Sequence, residues 1–410
     1  MSLPLILPDA EWRHRPGLDT LVAALGEARF VGGSVRDTML GIDVSDIDLA
    51  TPLAPEVVVE RLVAAGIRAV PTGIAHGTIT AVLESGPVEV TTLRRDVTTD
   101  GRRATVAFTD DWREDAARRD FTMNALYADP ASGAIHDYFG GLADLDARHV
   151  RFIGDPLRRI AEDHLRILRF FRFLARFGDT PDPAGLEACT ARARDLMALS
   201  RERIADELLK LLVARDAVGV VRLMVDRGIF VPVLPEIDAQ SADRLARLVE
   251  REAAADVVPH AIRRLAALLP QDGARAEGVG ARLKLSNAQR KRLSLAAGSV
   301  PAGECQFAVH ELGPESALDR LLLSDRPIAE VVAVRDCVIP PFPLSGGAIV
   351  ARGVRAGPEV ARILRAVEQQ WLAERFPDQA RIDAIADAVV AQALRSASSD
   401  QASSRSSARE

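Results

Sequence analysis

The sequence predicts an α+β chain: a head built on a mixed β-sheet with helices, followed by a remainder that is all helical. Two observations predict it. Between residue 27 and about 150, β-branched stretches with period-2 alternation are interleaved with helical spacing. After Pro156, strand signals almost vanish and one helical pattern follows another to the C-terminal end.

The elements follow in order. "ARFVGG" (28–33), "DIDLAT" (46–51), "IRAVPTG" (67–73), "GTITAVLE" (77–84) and "PVEVTTLR" (87–94) read as strands, and "APEVVVERLVAAG" (54–66) as a helix closed by glycine. "RDVTTDGRRATVAFTDD" (95–111) is polar, contains an Asp-Gly turn signal, and reads as a mobile loop or hairpin. "PLRRIAEDHLRILRFFRFLARFG", "SRERIADELLKLLVA", "AVGVVRLMVDRG" and "DRLARLVEREAAA" read as helices. The expected domains are a head at 1–150, a helical neck at 151–270, a helical body and tail at 271–395, and a low-complexity, disordered end at 396–410.

With 410 residues, 48% of them hydrophobic, the chain can bury a sizeable core in two or three domains. No apolar run approaches a membrane span, and the start lacks the pattern of a secretory signal, so a soluble, cytoplasmic protein is expected. Cys189, Cys305 and Cys337 are isolated and odd in number, forming neither a disulfide framework nor a zinc pattern. The net charge of −6 excludes a strongly basic coat but leaves room for a local basic face.

The stretch "VGGSVRDTMLGIDVSDIDLAT" (31–51) carries the first chemical signal. Asp46 and Asp48 are two apart, and on a strand alternate residues share a face. Paired carboxylates on one face suit a divalent cation, and magnesium combines such ligands with substrate phosphates. A solvated strand edge is the commoner source of Asp-x-Asp alone. Gly32-Gly33 ends an apolar strand just before a helix start, where backbone amides approach an anion, with Arg36 in the first turn. Glu89, flanked by Val88 and Val90, is either a third carboxylate on the neighbouring strand or an exposed strand glutamate.

Five ordered blocks resemble the class II tRNA nucleotidyltransferases, the CCA-adding enzymes and their poly(A) polymerase relatives. They are "GGSVRD…DIDLAT", "GIAHGTITAV…VEVTTLR", "RRDFTMNAL" (118–126), "EDHLRILRFFRF" (162–173) and "SRERIADELLKLL" (200–212), spread over roughly residues 28 to 235. The resemblance implies a nucleotidyltransferase head with catalytic Asp46, Asp48 and Glu89, and a helical neck, body and tail. It implies Mg2+ on Asp46 and Asp48, CTP and ATP as substrates, and tRNA as the partner, with no obligate protein partner evident. Gly32, Gly33, Arg36, Arg119, Asp120 and Asn124 are the expected contacts for triphosphate and sugar, the last two on the helical turn after Arg119; for Asp120 alone a structural ion pair is the competing reading. In the tail, "GVRAGPEVARIL" resembles a turn between helices of the family; Gly353 and Gly357 there fit an RNA-phosphate contact and a plain turn equally well.

Asp163, Arg166, Arg169 and Arg172 recur every three residues, so on a helix they form a stripe, for which a salt-bridged surface face is the usual explanation. Cytosine and adenine both carry an amine beside an accepting ring nitrogen. An aspartate accepts from that amine and an arginine donates to that nitrogen, whereas uracil and guanine turn a carbonyl toward the carboxylate. Asp163 and Arg166 are the candidates for this protein template, with Arg169 and Arg172 orienting them or touching phosphate. From Arg151 to Arg176 there are seven arginines against Asp155, Glu162 and Asp163, the local basic face that the net charge leaves room for. His76 reads as a turn or core histidine, and His136-Asp137 lacks the partner histidines of a phosphohydrolase.

The expected activity is addition of C, C and A to the 3′ end of tRNA with release of pyrophosphate. The alternatives are a poly(A) polymerase or A-only enzyme, and a non-catalytic RNA-binding protein on the same fold. "GIAHGTITAV" stands where the poly(A) branch carries an arginine-rich segment, and the intact 95–111 segment argues against a CC-only enzyme.

Overall fold

The computed structural model describes residues 5–99, 104–299, 305–337 and 341–407. The chain divides into two compact units, Met1–Ala297 and Gly298–Glu410. The expected limits at 150 and 270 fall inside the first, and the expected 271–395 segment is divided between the two.

The first unit opens with α1 (Leu18–Leu25), β1 (Arg29–Val31), α2 (Gly33–Met39), β2 (Asp48–Thr51) and α3 (Pro55–Ala64). Then come β3 (Arg68–Gly73), β4 (Thr78–Leu83), β5 (Gly86–Thr92), β6 (Arg94–Thr99), β7 (Ala104–Phe108) and α4 (Trp112–Ala117). β8 (Leu126–Ala128), β9 (Ile135–Asp137), α5 (Gly141–Asp146) and β10 (His149–Val150) complete the head. Seven strands form one mixed sheet in the order β3-β4-β5-β2-β1-β8-β9, in which only the β2–β5 pair is parallel. In β5, Val88 and Val90 are buried while Glu89 is exposed, so the period-2 pattern assigns one face to the core. β6 and β7 pair as the hairpin expected at 95–111, whose tip at 100–103 lies outside the described residues. β8 and β9 escaped the sequence reading because each has only three residues.

Helices follow: α6 (Pro156–Glu162), α7 (Arg166–Phe177), then the short β11 (Thr180–Pro181), which pairs with β10, and α8 (Pro183–Ala191). α9 (Arg201–Leu212), α10 (Ala217–Asp226), α11 (Ser241–Ala254), α12 (Ala261–Leu268), α13 (Gly273–Arg282) and α14 (Asn287–Ala296) complete this unit. α7 buries Ile167, Leu168, Phe170 and Phe171 as its apolar spacing demands. Phe170 stacks on Phe152 at 5.5 Å, and Phe121 lies 4.9 Å from Phe152 and 5.1 Å from Phe173. This aromatic layer fixes α7 against the head, since Phe121 and Phe152 precede the helices.

One polar knot lies within the helical part. Glu252 of α11 is 2% exposed and accepts from Arg263 Nε at 2.8 Å and Arg264 Nε at 2.9 Å, both on α12. Arg264 also donates to the Leu212 carbonyl at the end of α9, at 2.8 Å.

The second unit holds α15 (Cys305–Leu312), α16 (Pro314–Leu322), α17 (Ile328–Arg335), α18 (Gly346–Val350), α19 (Pro358–Ala373) and α20 (Gln379–Ser407). Ile349, Ile363, Val367, Trp371, Ile382 and Ile385 anchor one of its cores. Gly353, at φ +95°, and Gly357 punctuate the turn between α18 and α19. Where disorder is expected at 396–410, the backbone continues as helix to Ser407; the last three residues lie outside the described set. Ala397, Gln401, Ala402 and Arg405 of that segment are adequate helix formers, while its seven serines are weaker ones. Among the described residues, no helix is long and apolar enough to cross a membrane. Cys189 is buried, with its thiol pushed well up by burial, and Cys337 is half-buried.

Candidate active site

β2 begins at Asp48, two residues later than a strand face shared by both aspartates requires; Asp46 is exposed and lies just ahead of it. The ladder still reaches back that far, because the Glu89 amide donates to the Ile47 carbonyl at 3.1 Å. Ile47 and Leu49 point into the core, so Asp46 and Asp48 alternate away from it. The parallel register sets Asp48 directly opposite Glu89. Burial, then the Glu89 charge, then the Asp46 charge push the Asp48 carboxyl up to about 6, against the pull of Arg119.

Among the described residues, no three carboxylate, imidazole or thiol groups gather closely enough to enclose a metal ion. A pair of carboxylates whose negative charge is this poorly compensated nevertheless fits a divalent cation that takes its remaining oxygens from phosphate and water.

A cavity of about 500 Å3 opens beside Asp48. It gathers ten of the sequence-derived residues: Gly32, Gly33, Arg36, Asp48, Arg119, Asp120, Asn124, Asp163, Arg166 and Arg169. Asp46, Glu89 and Arg172 are outside its lining. Arg94, Arg118 and Phe173 line it without having been singled out in the sequence.

Gly32 sits between β1 and α2 at φ +70°, ψ −115°. A Cβ there would lie 3.3 Å from Arg119 Nη1 in a backbone region closed to most L-residues, so the position requires glycine. Arg36 is buried at 6% exposure. It donates to Asp37 at 2.7 Å and to the Asn124 side-chain oxygen at 2.6 Å, with its guanidinium 4.2 Å from the Phe177 ring centroid. Burial lowers its pKa, opposed by Asp37.

Asp120 and Asn124 are not on a continuation of the Arg119 helix. α4 ends at Ala117, Arg118 caps it, and Asn124 closes a separate 3-10 turn, Thr122–Asn124. Asn124 still donates to Asp120 Oδ1 at 2.9 Å, so the two act together as the pattern anticipates. Asp120 accepts from Arg169 Nε at 2.6 Å across the boundary between head and α7. Burial alone would raise the Asp120 carboxyl; Arg169 beside it, with Asn124, outweighs burial and holds it at about 2.

The expected stripe is broken at its first member. Asp163 adopts extended backbone at φ −150° in the turn between α6 and α7, so it is not one helical turn before Arg166. Its Oδ1 accepts from the Leu165 amide at 3.1 Å in the turn ahead of α7, while Oδ2 accepts from Arg203 of α9 at 2.8 Å. Arg166 donates to Glu162 at 2.6 Å, to the Arg159 carbonyl at 2.9 Å and to the Arg118 carbonyl at 3.0 Å. Arg172 turns away to Glu207 of α9, at 2.5 Å, because that buried carboxylate is the nearest countercharge; it also lies 3.7 Å from Arg169.

The basic face is likewise largely compensated. Each of the seven arginines from Arg151 to Arg176 has a carboxylate partner, and Asp144, Asp120, Glu207 and Asp37 supply several from outside the segment. Glu207 and Arg203 belong to the quoted block at 200–212, whose helical spacing was legible while its partners were not. His76 closes a 3-10 turn and is exposed. Asp137 accepts the Phe139, Gly141 and Leu142 amides ahead of α5, a structural role that leaves no metal-binding pair with His136.

The chain matches the family model of the poly(A) polymerase head domain over residues 28–151. A second model, the probable RNA and SrmB-binding site of polymerase A, matches residues 180–241. The Homo sapiens mitochondrial CCA tRNA nucleotidyltransferase 1 is 36% identical over 366 residues, covering 84% of this chain and 82% of that protein. The CCA-adding enzyme of Levilactobacillus brevis is 44% identical over 208 residues, about half of each chain. Among solved structures, the Bacillus stearothermophilus CCA-adding enzyme in complex with CTP superposes with a TM-score of 0.71 at 26% identity, covering 94% of this chain and 99% of that one. Thermotoga maritima CCA-adding enzyme complexed with tRNA shares the fold, with a TM-score of 0.67 at 18% identity. Similarity that runs through head and helical parts alike, over more than four fifths of both chains in the human case, makes this chain a member of the CCA tRNA nucleotidyltransferase family.

Proposed function

We propose that the chain adds C, C and A to the 3′ end of tRNA from CTP and ATP, releasing pyrophosphate at each step. The observation that carries this reading is one cavity holding Asp48, the arginines beside it, and the Asp163–Arg166 pair. It juxtaposes a carboxylate edge for phosphoryl transfer with a donor–acceptor pair suited to the shared edge of cytosine and adenine.

In this reading Asp46 and Asp48 would hold Mg2+, which would supply charge neutralisation for the phosphoryl transfer. Glu89, facing Asp48 across the register, adds negative charge that favours a cation at that edge. Arg119, Arg36 and the amides around Gly33 draw the triphosphate toward Asp48. Asn124 and Asp120 hold Arg36 and Arg169 in place and offer polar atoms to the sugar. The tRNA 3′-hydroxyl attacks the α-phosphorus in line, and the arginines receive the charge of the departing pyrophosphate.

Asp163 and Arg166 act as the protein template. Each Asp163 oxygen has one donor already and retains lone-pair capacity for a base amine. Arg169 orients the pair through Asp120, and Arg172 supports it indirectly by occupying Glu207. Cytoplasmic residence belongs to the same proposal and is tested by cell fractionation, since the human relative's name places that protein in mitochondria.

The test is incorporation of labelled CTP and ATP, with magnesium, into tRNA transcripts ending just before the added sequence, before A, or complete. Stepwise C, C, A addition supports the reading. Incorporation of A alone, long A tails, or no incorporation with tRNA bound overturns it in favour of an A-only enzyme, a poly(A) polymerase, or a non-catalytic binder.

A further inference from the structure

Asp115 of α4 belongs to none of the groups assigned so far, yet it is 1% exposed and four donors converge on it. Oδ1 accepts from the Arg94 backbone amide at 3.2 Å and from Arg118 Nε at 2.8 Å. Oδ2 accepts from Arg119 Nη2 at 3.3 Å and from the Tyr127 hydroxyl at 2.6 Å. Tyr127, itself fully buried on β8, accepts in turn from Arg119 Nε at 3.2 Å. Arg94, Arg118 and Arg119 all line the cavity, and Arg94 is the first residue of the β6–β7 hairpin. One carboxylate thus holds two guanidinium groups and the base of the hairpin.

We propose that Asp115 is a positioning residue for the nucleotide's triphosphate, fixing Arg118, Arg119 and the start of the hairpin in one preformed arrangement. The inference rests on the proposed reading of this cavity as the nucleotide site. Guanidinium groups on flexible stems otherwise spread apart by mutual repulsion, and ordering them when the nucleotide arrives weakens binding. A shared buried carboxylate removes that cost beforehand. The Asp115 carboxyl is held down at about 2: burial would raise it, and Arg119, Arg118 and Tyr127 overcome burial. It is therefore charged at any working pH. Since CTP and ATP share the triphosphate, an arrangement that acts on it is blind to the base.

The experiment measures equilibrium binding of CTP and of ATP with magnesium, by titration calorimetry, to wild type, Asp115→Asn, Tyr127→Phe, Arg119→Ala and the pairs of the first two with Arg119→Ala. The expected result is a Kd raised about tenfold for Asp115→Asn, by the same factor for both nucleotides, and raised less for Tyr127→Phe. Each substitution adds less to the loss caused by Arg119→Ala than it costs alone, the coupling expected when a residue acts in part through another; what Asp115→Asn still adds there is its hold on Arg118 and the hairpin base. Amide exchange at Arg94 speeds up in Asp115→Asn, because that amide loses its charged acceptor. Unchanged Kd, a change for only one nucleotide, or full additivity with Arg119→Ala overturns the inference. Should Asp115→Asn not fold, Tyr127→Phe decides by the same three criteria. If wild type binds neither nucleotide, the reading of the cavity falls, an outcome distinct from wild type and variants binding alike.

Discussion

Asp48 is an aspartate whose native surroundings oppose its charge. A carboxyl raised to about 6 binds a proton more readily folded than unfolded. Its ionisation costs the fold on the order of 2 kcal/mol at neutral pH, after discounting for partial exposure. Asp48→Asn therefore raises the melting temperature by a few degrees at pH 7.5 while lowering nucleotide addition at least about a hundredfold. Magnesium raises the melting temperature of wild type and not of the variant, and this wild-type gain fades below about pH 6, because a cation ligand must be deprotonated. A variant less stable than wild type in calorimetry contradicts this account. Asp163 carries a different test. Asp163→Ala removes the acceptor and frees Arg166 to meet a carbonyl. kcat/KM for UTP and GTP then gains on that for CTP and ATP by roughly tenfold to a hundredfold, the worth of one bidentate base contact at about 1–3 kcal/mol. Unchanged ratios among the four nucleotides, with a uniform loss of rate, would make this turn an anchor that does not read the base.

At the scale of elements, the hairpin of β6 and β7 is the part whose removal is expected to separate two activities. Deleting Val97 to Arg103 spares addition of C and impairs addition of A, measured on transcripts ending before each. Equal loss of both marks the hairpin as structural. The strands of the sheet core were legible because β-branched alternation was intact in β4 and β5, and the glycine pair marked the turn into α2. Gly32, Gly33, Arg36, Asp48, Arg119, Asp120 and Asn124, which line the cavity from the head, were legible because each sits in a short ordered block, whereas Arg94 and Arg118 of the same lining were not singled out. The break at Asp163 was not legible: its three-residue spacing to Arg166 fits a helix, and only the Leu165 amide and Arg203, forty residues away, show why the backbone turns there. Long-range countercharges such as Glu207 for Arg172 likewise leave no local pattern. Asp115 was invisible for the same reason, since α4 reads as an ordinary polar turn until Tyr127 and the two arginines converge on it.

Across the whole molecule, buried carboxylates pull the pH dependence in opposite directions. Asp115 and Asp120 are both depressed to about 2, so each contributes stability that is complete above its unfolded value near 4 and is lost as the pH falls toward 2. Asp48 is raised, so its unfavourable charge is relieved as the pH falls through about 6. Stability against urea therefore rises slightly from pH 7.5 to about 5 and drops steeply below about 4. Asp48→Asn flattens the first slope and leaves the second. A monotonic fall from neutral pH in wild type contradicts this assignment of charges. The two compact units have separate cores, so urea curves are fitted with two transitions before stabilities are compared.

The Arg263–Glu252–Arg264 knot has a consequence for how this sequence can change over generations. Removing Glu252 alone takes the shared carboxylate from two buried guanidinium groups, and breaking such a pair from one side costs about 3–5 kcal/mol. Total stabilities are about 5–15 kcal/mol, so a single step of that size removes a large share of the margin. Replacing all three residues together with well-packed apolar ones of similar volume is near neutral or stabilising. The knot is then held by the depth of the valley around it rather than by its own merit: no one-residue route leads out. Comparing the melting temperatures of Glu252→Gln and of a repacked triple variant measures that valley, and a single variant as stable as wild type would show the path to be open.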